Sequence, residues 1–225
     1  MSGMARAFEE ALKRPGRDQL SHGDFVGLLV QAEKTERENR RQKRLLKRAR
    51  LRFPNACLED MDYRHPRSLK KQPILELADG KWIEGHRNVL ITGPTGIGKT
   101  YISCALGNLA ARQGRTIESF RMPRLLEELK LAKADGSQLR LFKRLARVEV
   151  LVVDDLFLTV LPGPASQDLL EIVEDRYKTG SMVITSQLSP GDWHGAIGDP
   201  TLADAILDRL LEQAFRISLK GKSMR

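Results

Sequence analysis

The stretch LITGPTGIGKT, Leu90 to Thr100, decides the fold of this chain. It matches the phosphate-loop pattern G-x-x-x-x-G-K-[ST], with Gly93, Gly98, Lys99 and Thr100 in register. The β-branched run NVLIT leads into the loop, and TYISCALGNLAARQG follows with helical spacing. Because strand, loop and helix occur in this order, the sequence predicts a cradle for the phosphates of a nucleotide.

The residue types of the loop suit ATP and Mg²⁺. Glycines let the backbone curl so that its N–H groups point at phosphate oxygens, and the helix that begins here adds the positive end of its dipole. Lys99 is expected to reach the β- and γ-phosphates, and the Thr100 hydroxyl can ligate Mg²⁺. The predicted nucleotide-binding residues are Gly93, Pro94, Thr95, Gly96, Ile97, Gly98, Lys99, Thr100 and Tyr101.

A second part of the site is expected at the ends of neighbouring strands. VEVLVVDDL is an apolar run that ends in Asp154 and Asp155. Beside a phosphate loop, Asp154 is expected to hold Mg²⁺ through water and Asp155 to polarise the attacking water; acids that merely end a strand are the weaker alternative. VITSQ ends another predicted strand, and there Ser186 or Gln187 can orient the water or sense the γ-phosphate.

Strands alternate with helices from residue 88 onward. The predicted strands after NVLIT are TIESFR, VEVLVVDDL, SMVITSQ and FRISL, with helical segments between them. This alternation predicts an α/β fold with a parallel sheet flanked by helices. The predicted organisation is a helical, basic N-terminal domain over residues 1–53, a linker with one short helix over 54–87, and a nucleotide-binding domain over 88–225.

The positive charge is concentrated in the first part of the chain. The 225 residues carry 38 Lys and Arg against 29 Asp and Glu, a net charge of +9. Residues 1–88 hold 20 basic and 13 acidic residues, a net of +7, whereas residues 89–225 hold 18 and 16, a net of +2. An acidic polymer such as nucleic acid is therefore the expected partner, and plain solubility is the competing explanation.

The N-terminal region is predicted to contain two helices. MARAFEEALKRP stops at Pro15, and a second, long helix opens with Ser21 as its cap. Between Glu36 and Arg52 this helix holds nine basic residues against two acidic ones, with arginines on one face at i, i+3, i+4 and i+7. Such a stripe can follow DNA phosphates, although a solvated face, a membrane-surface helix or a calmodulin-like helix gives the same pattern. The predicted DNA contacts here are Arg37, Arg40, Arg41, Arg44, Lys47 and Arg48.

Cysteine content and hydropathy bear on the compartment. Cys57 and Cys104 are the two cysteines, which fits a reducing cytoplasm better than a disulfide framework. No apolar run approaches the ~20 residues that a membrane helix needs. The N-terminus lacks the apolar segment of a signal peptide. We therefore expect a cytoplasmic protein with no membrane partner.

Two arginines on predicted helices have two explanations each. Arg209 in DAILDRLL can act on the nucleotide of a neighbouring subunit, or can pair with a nearby acid such as Asp208 or Glu212. The residues themselves leave these alternatives open. For Arg176 in VEDRY, a structural salt bridge is the favoured interpretation.

Several blocks together resemble a known family. LITGPTGIGKT, LVVDDL, VITSQLSPGDWHGAIGDPTLADAILDRL and LKGKSMR, with NACLEDMD before them, resemble the IstB-like family of AAA+ ATPases. These are transposition helper proteins of bacterial insertion sequences, related to the DnaC helicase loader. The resemblance implies a P-loop AAA+ domain that binds and hydrolyses ATP with Mg²⁺. It also implies homo-oligomers that assemble on double-stranded DNA, deform it and cooperate with a transposase.

The resemblance also assigns roles to residues. It places Lys99 and Thr100 in Walker A, Asp154 and Asp155 in Walker B, and implies catalytic roles for Lys99 and Asp155. Ser186 takes the sensor-1 position and Arg209 that of the arginine finger. Residues 122–147 occupy the place of the extra helix of initiator-type AAA+ proteins. The DNA contacts implied there are Lys130, Lys133, Arg140, Lys143 and Arg144.

The sequence departs from the AAA+ pattern at two places. Many AAA+ enzymes carry Glu where this chain has Asp155, and the shorter side chain implies slower water activation or help from a neighbour. The chain also ends soon after its last predicted strand, so no C-terminal lid is expected, and Arg225 is the candidate to replace a lid arginine.

Two alternative functions can be weighed against this one. A helicase loader would act on single-stranded DNA and use its N-terminal helices to bind a helicase, but a protein-binding face would be expected to expose more apolar residues than the basic stripe does. A small-molecule P-loop kinase would need a substrate pocket and a lid, and the sequence predicts neither.

Overall fold

The N-terminal region is a pair of packed helices. The computed structural model describes residues 1–13, 21–161 and 163–224. Helix α1 spans Ser2–Lys13 and α2 spans His22–Ala49. Ser21 caps α2 as predicted, because its hydroxyl oxygen accepts a hydrogen bond from the Asp24 amide at 3.1 Å. The predicted stop of α1 at Pro15 lies outside the described residues.

One carboxylate joins the two helices. Glu33 of α2 accepts hydrogen bonds from the amides of Gly3 and Met4, at 3.0 and 3.2 Å, in the first turn of α1. The positive end of the α1 dipole favours this charge. Gly3 has no side chain, and a Cβ at this position would collide with the α2 backbone, so the glycine allows the close approach.

The segment predicted as a linker packs against the nucleotide-binding domain. It contains α3, Lys71–Ala78, and α4, Lys81–Glu84. The structure differs from the expectation of a linker with one short helix, since this segment forms two helices and supplies part of the core. Its apolar residues are spaced irregularly among polar ones, so no periodic pattern reveals that they are buried. The buried members are Ala56, Leu58, Met61, Leu69, Ile74, Leu77, Trp82 and Ile83.

The rest of the chain alternates strands and helices as predicted. The strands are β1 (Val89–Thr92), β2 (Ile117–Arg121), β3 (Val150–Leu156), β4 (Ser181–Ser186) and β5 (Phe215–Ser218). The helices are α5 (Lys99–Arg112), α6 (Met122–Ala134), α7 (Gln138–Arg147), α8 (Gly163–Arg176), α9 (Trp193–Ile197) and α10 (Pro200–Leu211). All strand pairs are parallel, in the order β2-β3-β4-β1-β5.

Helices cover both faces of the sheet. On β1, Val89 and Ile91 belong to the apolar layer under α5 and α3, whereas Leu90 belongs to the layer under α6, α8 and α10. This alternation follows from the period of two along a strand. It explains why the strands read as continuous apolar runs. None of the helices in the described ranges is long and apolar enough to cross a bilayer.

Parallel strands bring the predicted site together at one edge. β1 runs directly into the phosphate loop, and its last residue Thr92 pairs in register with Ser186 at the end of β4. β3 lies on the other side of β4 and ends with Asp154, Asp155 and Leu156. Loop, acids and β4 terminus therefore share the carboxyl edge of the sheet, where open α/β sheets bind ligands.

Candidate nucleotide site and basic surfaces

Lys99 lies inside the phosphate loop. Its side chain is buried, and its Nζ donates to the carbonyl oxygens of Gly93 and Pro94 at 2.7 and 2.9 Å. Burial lowers the pKa of Lys99, and the charges of Asp155 and Asp154 act in the opposite direction. A phosphate oxygen is a stronger acceptor for an ammonium group than a carbonyl oxygen, so this lysine is placed to transfer its hydrogen bonds to a bound phosphate.

Asp154 and Thr100 form the candidate metal site. The Thr100 hydroxyl lies 3.0 and 3.1 Å from the two carboxylate oxygens of Asp154. Burial, followed by the charge of Asp155, raises the pKa of Asp154, whereas the hydrogen bonds from Thr185 and Thr100 lower it. Asp154 is only 4% exposed, and it makes no ion pair with any described residue that would balance its charge.

These oxygens fit Mg²⁺. A buried carboxylate next to a hydroxyl offers two hard oxygen ligands and a negative charge that a divalent cation would balance. No group of three or more His, Cys, Asp or Glu side chains is arranged to bind a metal among the described residues. A Mg²⁺ site of the nucleotide type needs only one or two protein oxygens, which act together with phosphates and water.

Asp155 is tied to an arginine at the end of the edge strand. Its Oδ2 accepts from Nη2 and Nε of Arg121 at 3.0 and 3.2 Å. Its backbone has a φ of +59°, next to a register shift between Val153 and Leu156. A left-handed φ is uncommon for a residue with a side chain, and such strain occurs often at functional sites.

Thr185 fixes both acids. Its hydroxyl donates to Oδ1 of Asp154 at 2.6 Å and accepts from the amide of Asp155 at 2.9 Å. Sequence reasoning missed this residue. Its only signal in the sequence was its position near the end of β4, one residue before Ser186. Because side chains alternate along a strand, the Thr185 side chain points to the opposite face of the sheet from that of Ser186.

Ser186 lies with its side chain in the protein interior, and it is not part of the lining of the cavity over the loop. Its side chain is fully buried, its hydroxyl donates to the Leu156 carbonyl at 2.8 Å, and it accepts from the Leu188 amide at 3.2 Å. The neighbouring Gln187 is exposed and lines the nucleotide cavity. Of the two side chains considered for sensing the γ-phosphate, Gln187 is the one that lines this cavity, because the chain turns after Ser186.

A cavity of about 400 Å³ lies over the loop. Its lining includes six of the predicted nucleotide-binding residues: Thr95, Gly96, Gly98, Lys99, Thr100 and Tyr101. Phe53, which follows α2 and was not predicted, lies beside Tyr101 in the same lining. The two rings are 6.2 Å apart, which offers an aromatic surface on which a nucleobase can stack. Further lining residues that sequence reasoning missed are Arg52, Arg121 and Leu158.

Arg209 lies at the amino edge of the sheet, opposite the carboxyl edge that carries the phosphate loop. Its Nη2 is 2.6 Å from Glu174 Oε1, and its Nη1 donates to the Ala205 carbonyl at 2.8 Å. Its backbone carbonyl lies 3.3 Å from the amide nitrogen of Asn88, the residue just before β1. The structure therefore separates Arg209 from the phosphate loop of its own chain. The pairing with Asp208 or Glu212 is replaced by the pair with Glu174 on α8.

Arg176 differs from its favoured interpretation as a salt bridge. It is 2% exposed and makes no ion pair with any described residue. Its guanidinium donates instead to the carbonyls of Leu145, Val148 and Ser181, at 2.5, 2.7 and 2.7 Å. Burial lowers the pKa of Arg176 to about 10. The Arg176 side chain thus joins the end of α8 to the end of α7 and the start of β4, and no local sequence pattern reveals this contact.

The basic stripe of α2 is partly neutralised. Arg37 and Arg40 pair with Glu33 and Glu36, at 2.8 and 2.9 Å, one turn earlier. Arg41 donates to the carbonyl of Gly114 at 2.9 Å. The predicted contacts of α2 that form no ion pair with described residues are Arg41, Arg44, Lys47 and Arg48.

The predicted contacts on α6 and α7 divide in the same way. Lys133 pairs with Asp168 at 2.7 Å, and Arg144 pairs with Glu128 at 2.9 Å and Glu118 at 3.4 Å. The remaining predicted contacts form no ion pair within the described ranges: Lys130, Arg140 and Lys143.

The two basic surfaces meet in one groove beside the edge strand. A cavity of about 410 Å³ separates the C-terminal half of α2 from α7, with Glu118 of β2 among its lining residues. We call this the basic groove; its cationic residues are Arg48, Arg140, Lys143, Arg144 and Arg147. Burial raises the pKa of Glu118, and the charge of Arg144 acts against this rise. Arg147 was not predicted as a contact, and only the tertiary structure places it with the others.

Comparisons with known proteins agree on the kind of protein. A sequence profile described as IstB-like ATP binding protein matches residues 1–225. The chain is 45% identical over 225 residues to a protein named as an insertion-sequence ATP-binding protein of Sinorhizobium fredii, covering 100% of this chain and 91% of that one. It is 46% identical over 188 residues to a similarly named protein of Pseudomonas fluorescens, covering 84% of this chain and 81% of that one.

The solved structure of the DnaC helicase loader has the same fold. It superposes with a TM-score of 0.62 at 21% identity, covering 75% of this chain and 99% of that chain. The predicted α/β fold of the AAA+ type, with its parallel sheet flanked by helices, is thereby confirmed.

Proposed function

Because the chain belongs to the IstB-like ATP binding protein family and is an AAA+ ATPase, we propose that ATP drives its assembly on double-stranded DNA in the service of a transposase. In this proposal the protein forms a homo-oligomer on the DNA and deforms it. One observation carries the proposal. The candidate phosphate- and metal-binding groups Lys99, Thr100 and Asp154 lie together at the carboxyl edge of the sheet, and Arg209 lies at the amino edge.

Heterologous contacts between copies would join these two edges. When one surface of a subunit meets a different surface of the next, the assembly grows as a ring or a helical filament. Such contacts would bring Arg209 of one copy toward the nucleotide of its neighbour, where a positive charge stabilises the transition state of phosphoryl transfer. Arg209 would first have to leave Glu174, which is 43% exposed and therefore holds the arginine weakly.

Within one subunit the residues have distinct proposed roles. Lys99 and the backbone amides of the loop would bind the phosphates. Thr100 with Asp154 would hold Mg²⁺, which would supply positive charge against the negative charge of the phosphates. Asp155 positions and polarises the attacking water after it separates from Arg121. Gln187, which lines the cavity over the loop, would contact that water or the γ-phosphate.

The basic groove is the proposed DNA surface. Its cations come from α2 and α7, and Arg48, Arg140, Lys143 and Arg147 form no ion pair with described residues. Neutralised phosphates release counterions, which makes such binding strongly dependent on salt. By contrast, Arg37, Arg40 and Lys133 are already paired and contribute less free charge.

Fluorescence anisotropy with labelled duplex DNA and ATP tests this surface. Lys143→Glu is expected to weaken binding by roughly tenfold and to reduce the slope of log affinity against log salt by about 1. Arg216→Glu is the matched control, since its charge change is equal. This exposed arginine lies on β5, the outer strand farthest from β2 and the basic groove. Equal losses in both variants would show that overall charge, rather than the groove, binds DNA.

A substitution with the opposite sign sharpens the test. Glu118→Gln removes a carboxylate from the groove with little change in shape. It should tighten DNA binding by roughly threefold, the Coulomb effect of removing a charge about 6 Å from a phosphate in water.

Electron microscopy of the protein with ATP and duplex DNA tests assembly. Rings or filaments on DNA are the expected result. Wild-type protein with ATP but no affinity for duplex DNA at low salt would refute the proposal. A preference for single-stranded DNA together with copurification of a helicase would favour a helicase loader instead.

A further inference from the structure

The C-terminal segment runs along the outer side of the phosphate loop. After β5, the Leu219 amide donates to the Thr92 carbonyl at 2.8 Å, and the Lys220 amide donates to the Arg67 carbonyl at 3.1 Å. The Met224 amide then donates to the Gly96 carbonyl of the loop at 3.0 Å. Residues Leu219–Met224 thus pack against the loop, although they take no part in the nucleotide chemistry proposed for the site.

Arg67 joins this segment to the loop. It comes from the stretch before α3, and it is 3% exposed. Its Nη1 donates to the Ile97 carbonyl at 3.1 Å and contacts the Met224 sulfur at 3.0 Å, while Nη2 donates to the Asp62 carbonyl at 2.9 Å. It has no carboxylate partner among the described residues, and its Nε is buried without a hydrogen bond. A buried cation held only by carbonyls is costly, so its place against the loop calls for a reason.

The loop glycines allow these contacts. A Cβ at Gly96 would collide with the Ser223 side chain, and a Cβ at Gly98 would collide with the guanidinium of Arg67. Both glycines also have φ values in the left-handed region, +80° and +98°. The outer side of the loop is therefore in close contact with Arg67 and the C-terminal segment.

The hydrogen bonds on the outer side of the loop also fix the direction of the N–H groups on its inner side, because the peptide group is planar. In a planar trans peptide, the carbonyl of one residue and the N–H of the next point in opposite directions. Hydrogen bonds that hold the carbonyls of Gly96 and Ile97 outward thus turn the N–H groups of Ile97 and Gly98 to the inner side. Those N–H groups are the ones with which a phosphate loop binds its ligand.

We propose that Arg67 and residues Leu219–Met224 form a clasp that holds the phosphate loop in its ATP-binding conformation. They are positioning elements, because they act through the loop backbone rather than on ATP itself. The clasp deepens the nucleotide site and does not depend on the proposed role in DNA binding.

Nucleotide titration of two variants tests the clasp. Arg67→Met removes the donors to Ile97, and a chain shortened to end at Lys222 removes the bond from Met224 to Gly96. Each is expected to bind a fluorescent ATP analogue about tenfold more weakly, the effect of a lost hydrogen bond to a charged or buried group. KM for ATP should rise while kcat stays within about twofold, since the catalytic groups are not altered.

Conservative and control variants separate positioning from general stability. Arg67→Lys should restore part of the affinity, because one donor can still reach a carbonyl. Arg64→Met is the matched control, as Arg64 is 96% exposed and its ion pair within the described residues is with Asp62. Melting temperature and DNA affinity without nucleotide are measured in parallel.

The outcomes are distinct. If Arg67→Met does not fold, the shortened chain still tests the contact at Gly96. Wild-type affinity for ATP in folded variants would overturn the clasp, even if their melting temperatures fell. Loss of duplex binding by the wild-type protein would refute the proposed function and leave the clasp intact.

Discussion

An arginine that acts on the nucleotide of another subunit can be detected by mixing two inactive variants. Arg209→Ala removes the proposed finger and keeps the phosphate loop. Lys99→Ala removes nucleotide binding and keeps the finger. Each variant alone should lose DNA-stimulated ATP hydrolysis by at least about a thousandfold, the range that arginine fingers contribute.

The structure gives the reason that Arg209 cannot serve its own site. Its backbone contacts Asn88, five residues before Gly93 at the start of the loop. At about 3.3 Å per residue along a strand, these ends lie about 16 Å apart. The guanidinium also points to Glu174 rather than along the strand. An arginine side chain is too short to cover that separation.

The expected recovery follows from counting contacts. In an equimolar mixture that assembles at random, about one quarter of the heterologous contacts join an intact Lys99 to an intact Arg209. ATP hydrolysis, measured as released phosphate with saturating duplex DNA, should therefore return to about a quarter of the wild-type rate.

Two results would contradict this reasoning. A mixture of Arg209→Ala with the double variant Lys99→Ala/Arg209→Ala contains no intact contact, so recovery there would point to an artefact. Failure of the first mixture to recover, although both variants assemble on DNA with wild-type protein, would show that Arg209 does not act between subunits.

Three further perturbations follow from the contacts of single side chains. Arg121→Gln should raise the ATPase rate without DNA by about fivefold, because a partly exposed ion pair worth about 1 kcal/mol no longer holds Asp155; an unchanged or lower rate would show that Arg121 does not restrain this acid. Arg176→Met removes the guanidinium donors from at least three buried carbonyls and should lower the free energy of unfolding by about 3–5 kcal/mol, measured by urea denaturation; a loss below about 1 kcal/mol would contradict the inferred role. Hydrogen bonds from Arg37 and from the α1 backbone lower the pKa of Glu33 from 4.5 to about 2, so the docking of α1 is expected to be fully stabilised above pH 4.5 and to weaken as the pH falls toward 2. Hydrogen exchange of the α1 amides should follow this acid dependence in the wild-type protein but not in Glu33→Gln, and identical profiles would exclude Glu33 as its source.

Local patterns carried much of the fold and part of the site. The phosphate loop could be read from eight consecutive residues because the spacing of its glycines, Lys99 and Thr100 is itself the structure that binds phosphate. The order of strands and helices followed from apolar runs and helical spacing for the same reason. Asp154 and Asp155 were found because parallel strands end at a common edge, so their approach to the loop is a consequence of the fold class.

Contacts between distant segments could not be found in this way. The sequence gives no sign that the Arg67 guanidinium contacts Ile97 and Met224, or that Thr185 rather than Ser186 contacts the acids. These contacts depend on how the sheet, its covering helices and the chain end pack, and packing is a property of residues far apart in sequence.

The charged residues show most clearly what the sequence determines and what the tertiary structure determines. Sequence alone determined that the chain is basic, where its cations are concentrated, and that a phosphate loop precedes a helix in an α/β sheet. Only the tertiary structure decided which cations are paired, that those of α2 and α7 line one groove, and that Arg209 and Lys99 lie at opposite edges. The physical reason is that a loop is specified by neighbours in the chain, whereas the field of a charge depends on its neighbours in space.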